Sequence, residues 1–212
     1  MIITARRLIG TPVEAGECIV GKIDDVFFDV RTGDITHVSV ALTGWYRGTI
    51  VLIPWDPCQT GYVGRKIIFY HMSAADVRQA PLLDEEAARN AEVAQLLAAY
   101  QDTAPCWTFG ARCCVSSTRS EAIEKKTDQP AIWGTRDLRK AVVSNNHDVE
   151  SGRVLDLLVD VEDWRVTHAI AREGPWYQNR RVMIPTANFA EVEKTDSVTR
   201  VRLRPPVSTL AA

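Results

Sequence analysis

Gly21-Lys22-Ile23-Asp24-Asp25-Val26-Phe27-Phe28-Asp29-Val30 and Gly152-Arg153-Val154-Leu155-Asp156-Leu157-Leu158-Val159-Asp160-Val161 are two versions of one segment. The same spacing carries Thr36-His37 onto Thr167-His168, Trp45-Tyr46 onto Trp176-Tyr177, and Val51-Leu52-Ile53-Pro54 onto Val182-Met183-Ile184-Pro185. About 34 consecutive positions align without a gap, and about a third are identical. A repeat on this scale turns the fold into a question about one small unit used twice.

Each copy reads as β-structure. Ile23, Val26, Phe27 and Phe28 are the β-branched and aromatic residues that suit a pleated surface. Arg31-Thr32-Gly33-Asp34 is a hairpin turn in which Gly33 can supply a positive φ. The second copy has Glu162-Asp163-Trp164-Arg165 there, so a different turn type is expected, such as a type I turn with a longer loop. Strands follow at Ile35 to Leu42 and Ile50 to Ile53, where Pro54 ends the ladder because it has no N–H to donate. A further strand is expected near Lys66 to Tyr70, with its counterpart near Val198 to Leu203. Several short strands at close spacing point to a small barrel or sandwich.

The pattern changes between the copies. Ser73-Ala74-Ala75-Asp76 has the form of a capping box that opens a short helix, and Pro81 closes it. A longer helix is expected from about Asp84 to Tyr100, with Asp84, Glu85 and Glu86 in its first turn and Val93, Leu96, Leu97 and Tyr100 at helical spacing. Residues 101–132 show no periodicity and read as loop or linker.

The 212 residues are 46% hydrophobic and 25% charged, which is ordinary for a globular chain and enough for two modest cores. The net charge of -2 argues against a dedicated nucleic-acid binder, which carries a basic excess or stripe. Five cysteines (Cys18, Cys58, Cys106, Cys113, Cys114) form neither a disulfide framework nor a zinc pattern, and a reducing, cytoplasmic setting follows as the expectation. No apolar run approaches the roughly 18 residues of a membrane helix, and no secretory leader is expected.

The segments Leu8-Ile9-Gly10, Gly21-Lys22-Ile23-Asp24-Asp25, Thr36-His37-Val38, Gly44-Trp45 and Val51-Leu52-Ile53-Pro54-Trp55 resemble the PRC-barrel domain. That domain is a small β-barrel, defined from the cytoplasmic part of the photosynthetic reaction-centre H subunit and the C-terminal domain of a bacterial ribosome-maturation factor. The segment Met72 to Pro81 resembles the tail after the barrel in tandem PRC proteins. The resemblance implies a mainly β protein of two small PRC-type barrels in tandem, joined by a partly helical linker. The expected division is 1–81, 82–132 and 133–212. In the second copy the Leu-Ile-Gly opening reads as Arg139-Lys140-Ala141. Fold similarity of this kind does not carry function with it.

Candidate chemistry is sparse. His37 and His168 are equivalent by repeat but have no third ligand at useful spacing. Asp25 with Asp29, and Asp156 with Asp160, have the look of acid–base pairs, but duplication in both copies favours turn and strand-edge charges. No phosphate loop, nucleophile elbow or zinc helix motif is present. The expectation is a non-enzyme without metal or cofactor. Trp45-Tyr46 and Trp176-Tyr177, in turns, are the candidate interaction surface, because aromatic residues are enriched at interface hot spots. The expected function is a protein-interaction or scaffold module with a protein partner or a second copy of itself. A small-ligand or redox-responsive module using Cys113 and Cys114, and a ribosome- or RNA-associated factor by family analogy, are the alternatives.

Overall fold

The computed structural model describes residues 1–83, 132–144, 150–173, 180–195 and 198–204. The helix expected from Asp84 to Tyr100, the loop cysteines Cys106, Cys113 and Cys114, and Trp176-Tyr177 lie outside the described residues.

The first sheet is built from β2 (Pro12–Ala15), β3 (Cys18–Asp29), β4 (Ile35–Leu42), β5 (Ile50–Pro54), β6 (Thr60–Val63) and β7 (Lys66–Phe69), in the order β5-β4-β3-β2-β7-β6. The second is built from β9 (Val142–Ser144), β10 (Glu150–Asp160), β11 (Arg165–Glu173), β12 (Arg180–Pro185), β13 (Phe189–Thr195) and β14 (Val198–Leu203), in the order β12-β11-β10-β9-β14-β13. All neighbours are antiparallel except β2 with β7 and β9 with β14. The registers agree in detail. β3 and β4 slip between Ile23 and Asp25 and between Phe27 and Phe28; β10 and β11 slip between Val154 and Asp156 and between Leu158 and Val159, the matching positions.

The sheets do not close into barrels, contrary to the expectation. Closure requires the last strand to return to the first. The outer edge of β5 is taken instead by the segment after the sheet: Leu52 N–H donates to Pro81 O at 2.8 Å and Leu83 N–H donates to Ile50 O at 2.9 Å. In the second sheet β12 is terminal among the described residues.

The two sheets exchange their leading strands. β1 (Ile2–Thr4) pairs with β10 through Ile3 opposite Val159, and β8 (Ile132–Gly134) pairs with β3 through Trp133 opposite Phe28. Each leading strand runs into one helical turn, α1 (Ala5–Leu8) or α3 (Thr135–Leu138). Neither turn is capped by its own preceding residue, Thr4 or Gly134. The cap comes from the opposite sheet: Arg136 N–H donates to Asp25 at 3.2 Å, and Arg6 N–H donates to Asp156 at 3.2 Å. A carboxylate at a helix start satisfies an orphan N–H and complements the dipole. Asp25 and Asp156 are therefore helix caps supplied across the sheets, not turn or edge charges. Asp29 does behave as a turn residue, accepting from Arg31 N–H at 2.8 Å.

The equivalences also correct the reading of the second opening. Ile9 N–H donates to Ala5 O and Thr11 N–H to Leu8 O; Arg139 N–H donates to Thr135 O and Ala141 N–H to Leu138 O. Leu138 thus stands where Leu8 does, and both are buried. The leucine that fills the core is kept; only the two residues after it have changed.

At the join between the sheets, Ile35 N–H donates to Trp164 O and Val166 N–H donates to Gly33 O, with Asp34 and Arg165 facing each other between them. Trp164 takes the positive φ (50°) that Gly33 takes (80°), so the second turn keeps the first one's form without a glycine. The cost of that backbone is offset by burial of the indole: Trp164 is 3% exposed and meets Trp55 edge-on, with ring centroids 4.4 Å apart. Arg165 Nε lies 2.8 Å from Asp34 Oδ1. Asp34→Arg should lower stability by up to about 1 kcal/mol, since the pair is half-exposed and an arginine replaces its anion. The double variant Asp34→Arg/Arg165→Asp should recover most of it in urea titrations. Equal stability of single and double variants would show that the pair contributes nothing.

One apolar core runs through both sheets, from Leu8, Val13, Phe28 and Ile53 to Leu138, Leu157, Val159 and Val201. A smaller cluster of Phe27, Leu52 and Leu83 covers the outer face of the first sheet. α2 (Ala74–Gln79) follows the first sheet with the capping box expected for Ser73, closed by Asp76.

Candidate functional site

The turn from β4 to β5 carries Trp45 and Tyr46. Gly44 (φ 73°) and Gly48 (φ 93°) sit on either side in the left-handed region, which a side chain would disfavour. Between them Gly44–Tyr46 forms a single 3-10 turn. Arg47 N–H donates to Gly44 O, Thr49 N–H to Tyr46 O and Leu42 N–H to Thr49 O, which hold the turn closed. Thr43 anchors it to β3, donating from N–H at 3.1 Å and from Oγ1 at 3.3 Å to Val20 O.

This scaffold presents its aromatic rings outward. Trp45 is 102% exposed and Tyr46 is half-exposed. The Arg78 guanidinium of α2 lies 5.6 Å from the Tyr46 ring centroid, a cation–π distance that ties the turn to the helix. Ile19, beside the anchoring Val20, is also exposed. A partner that covered the Trp45 ring would remove roughly 200 Å² of apolar surface from water, on the order of 5 kcal/mol before association costs. Trp45 makes no ring contact with either sheet, so it does not fold back on the protein.

The histidines occupy matching places on their sheets. His37 lies opposite Phe27 and Pro54, and His168 opposite Leu158 and Pro185. Their surroundings differ. His37 is buried, its Nδ1 has no hydrogen-bond partner, and desolvation lowers its pKa to about 4; His168 is half-buried. Among the described residues no three His, Cys, Asp or Glu side chains gather as a metal site. Cys18 and Cys58 are exposed free thiols.

Asp25 is the other perturbed group. Burial pushes its carboxyl up to about 6, opposed by the 2.6 Å hydrogen bond from Thr135 Oγ1, by Val26 N–H and by Arg136. Gly134 makes the approach possible, because a Cβ there would stand 2.6 Å from Asp25 Oδ2. Sequence reading missed this clasp. Recurrence of the aspartate at position 156 was the available signal, but nothing local ties residue 25 to residues 134–136.

No described helix is long and apolar enough to cross a membrane. No curated protein matches the chain. Residues 1–70, from the exchanged strand β1 through the end of β7, match the PRC-barrel domain, so the aromatic turn lies within a PRC-barrel domain.

Proposed function

We propose that this protein is a non-catalytic, cytoplasmic interaction or scaffold protein. In this reading the second sheet is a second, divergent PRC-type module fused to the first, and the Trp45-Tyr46 turn is its main contact with a protein partner. The observation that carries the reading is a fully solvated tryptophan on a turn whose backbone is fixed by hydrogen bonds. A rigid, exposed aromatic loses little conformational freedom when it is covered, which is how hot-spot residues contribute. Strand exchange, reciprocal helix caps and a shared core suit a rigid platform rather than a hinged enzyme.

Trp45→Ala tests it. The substitution should leave the unfolding midpoint within about 0.5 kcal/mol of wild type, because the ring packs on nothing. Affinity capture from the native cell, compared by quantitative mass spectrometry, should lose at least one protein that the wild-type chain retains. Identical capture by the two chains would sink the role of the turn.

A further inference from the structure

The first sheet shows what its own wall and edge accept. α2 lies against β2, β3 and β5, with Val77 and Ala80 buried. The chain then extends along the β5 edge through Pro81 and Leu83, and Leu83 packs on Phe27 and Leu52. On this sheet Val13, Gly21, Val40, Val51, Ile53 and Phe69 are all buried.

The second sheet has the same seat without this cover among the described residues. The matching positions are Val143, Gly152, Ala171, Val182, Ile184 and Leu203, by the repeat spacing and by the parallel pairings of Val13 with Ile67 and Val143 with Val201. They line an open cleft of about 290 Å³. Gly152, Val182, Ile184 and Leu203 are only half-buried here. Met183, the counterpart of buried Leu52, is 67% exposed. β12, the counterpart of β5, is the terminal strand among the described residues. Among the described residues, an apolar cleft, an exposed methionine and an unpaired strand edge thus coincide where the first sheet holds one continuous helix–strand segment.

The rim differs in charge. Arg172, Arg180 and Arg181 replace Ala41, Thr49 and Ile50, and Glu173 pairs with Arg180 at 3.5 Å. We propose that this cleft and edge dock an acidic helix–strand segment of a partner protein: one short helical turn of small apolar residues, then an extended Pro-Leu-type stretch added to β12. Backbone bonds to Met183 N–H and Arg181 O give affinity by strand addition, and the excess of arginine at the rim favours acidic side chains. The site is on the opposite sheet from the Trp45 turn and stands independently of it.

The probes are a labelled peptide of residues 72–83 and the same peptide with Arg78→Glu, titrated into the full chain by fluorescence anisotropy. Both should bind saturably, the acidic one several-fold tighter at low salt and with the larger salt dependence. Met183→Pro removes the edge N–H at an exposed strand position that tolerates proline, and should weaken both by about tenfold or more. Trp45→Ala should leave both unchanged. Absence of saturable binding, or binding that ignores Met183→Pro, would overturn the proposal. So would a Met183-dependent dimer in sedimentation, which would make a second copy of the chain the occupant.

Discussion

Phe28→Ala should destabilise the protein by about 3–5 kcal/mol and should do so for both sheets at once. Phe28 is fully buried, so truncation loses transfer free energy and leaves a cavity that the packed core fills only in part. It also lies opposite Trp133 of the exchanged strand β8. Two independent modules would respond separately, with the second melting at its own midpoint. A single core with exchanged strands predicts one transition. Tryptophan fluorescence, to which Trp164 and Trp55 at the join contribute, and far-UV circular dichroism should therefore move together in urea. A second transition untouched by Phe28→Ala would refute the single-core account and restore separate modules.

The second large effect is on the pH dependence of stability, where two buried groups oppose each other. Asp25 is pushed from 3.8 up to about 6, mainly by desolvation. Between those values the folded protein keeps a proton that the unfolded chain has released. Its contribution is therefore fully present below pH 3.8 and is lost as pH rises through 6. His37 is lowered from 6.5 to about 4 by desolvation. Here the unfolded chain holds the extra proton. Its contribution is present above pH 6.5 and is lost as pH falls through 4. Each shift is worth about 3 kcal/mol at 1.36 kcal/mol per pKa unit. The two slopes share one window and nearly cancel, so these groups leave the wild-type stability almost level from pH 4 to 6.5.

The single variants should uncover each slope. Asp25→Asn, which keeps an acceptor for Thr135, should become more stable by about 3 kcal/mol as pH rises from 4 to 6.5. His37→Phe should lose about the same amount as pH rises from 4 to 6. Urea midpoints at several pH values decide it. If Asp25→Asn follows the wild-type profile, the Asp25 carboxyl is not held protonated in the fold. The Thr135 clasp would then act on an ordinary carboxylate.

Much of the fold was legible because it rests on local chemistry. Ser73 and Asp76 announce a capping box, and the structure contains it. Pro54 ends β5. The strand expected from Ile35 to Leu42 forms with those bounds, and the matched segments pair with matched slips. The Trp45-Tyr46 turn was legible as an aromatic turn between strands, but its full exposure was not, since a turn tryptophan often folds onto its own sheet. Gly33 and Trp164 show the limit of turn chemistry. A buried tertiary contact with Trp55 holds a bulky residue at the left-handed φ that local rules reserve for glycine.

The sequence by itself determined the two matched β segments, their turns and the short capped helix between them, because side-chain period and capping act over a few residues. Tertiary structure alone decided that the sheets stay open, that β1 and β8 cross to the opposite sheet, and that Asp25 and Asp156 cap each other's helices. It also decided that one seat for a helix and strand is filled while its counterpart, among the described residues, presents an open cleft. The physical reason is the repeat itself. Hydrophobic period states that Ile3 or Trp133 must pack against a strand, but β3 and β10 offer nearly the same surface. Only the geometry of the whole chain distinguishes a strand's own sheet from its neighbour's.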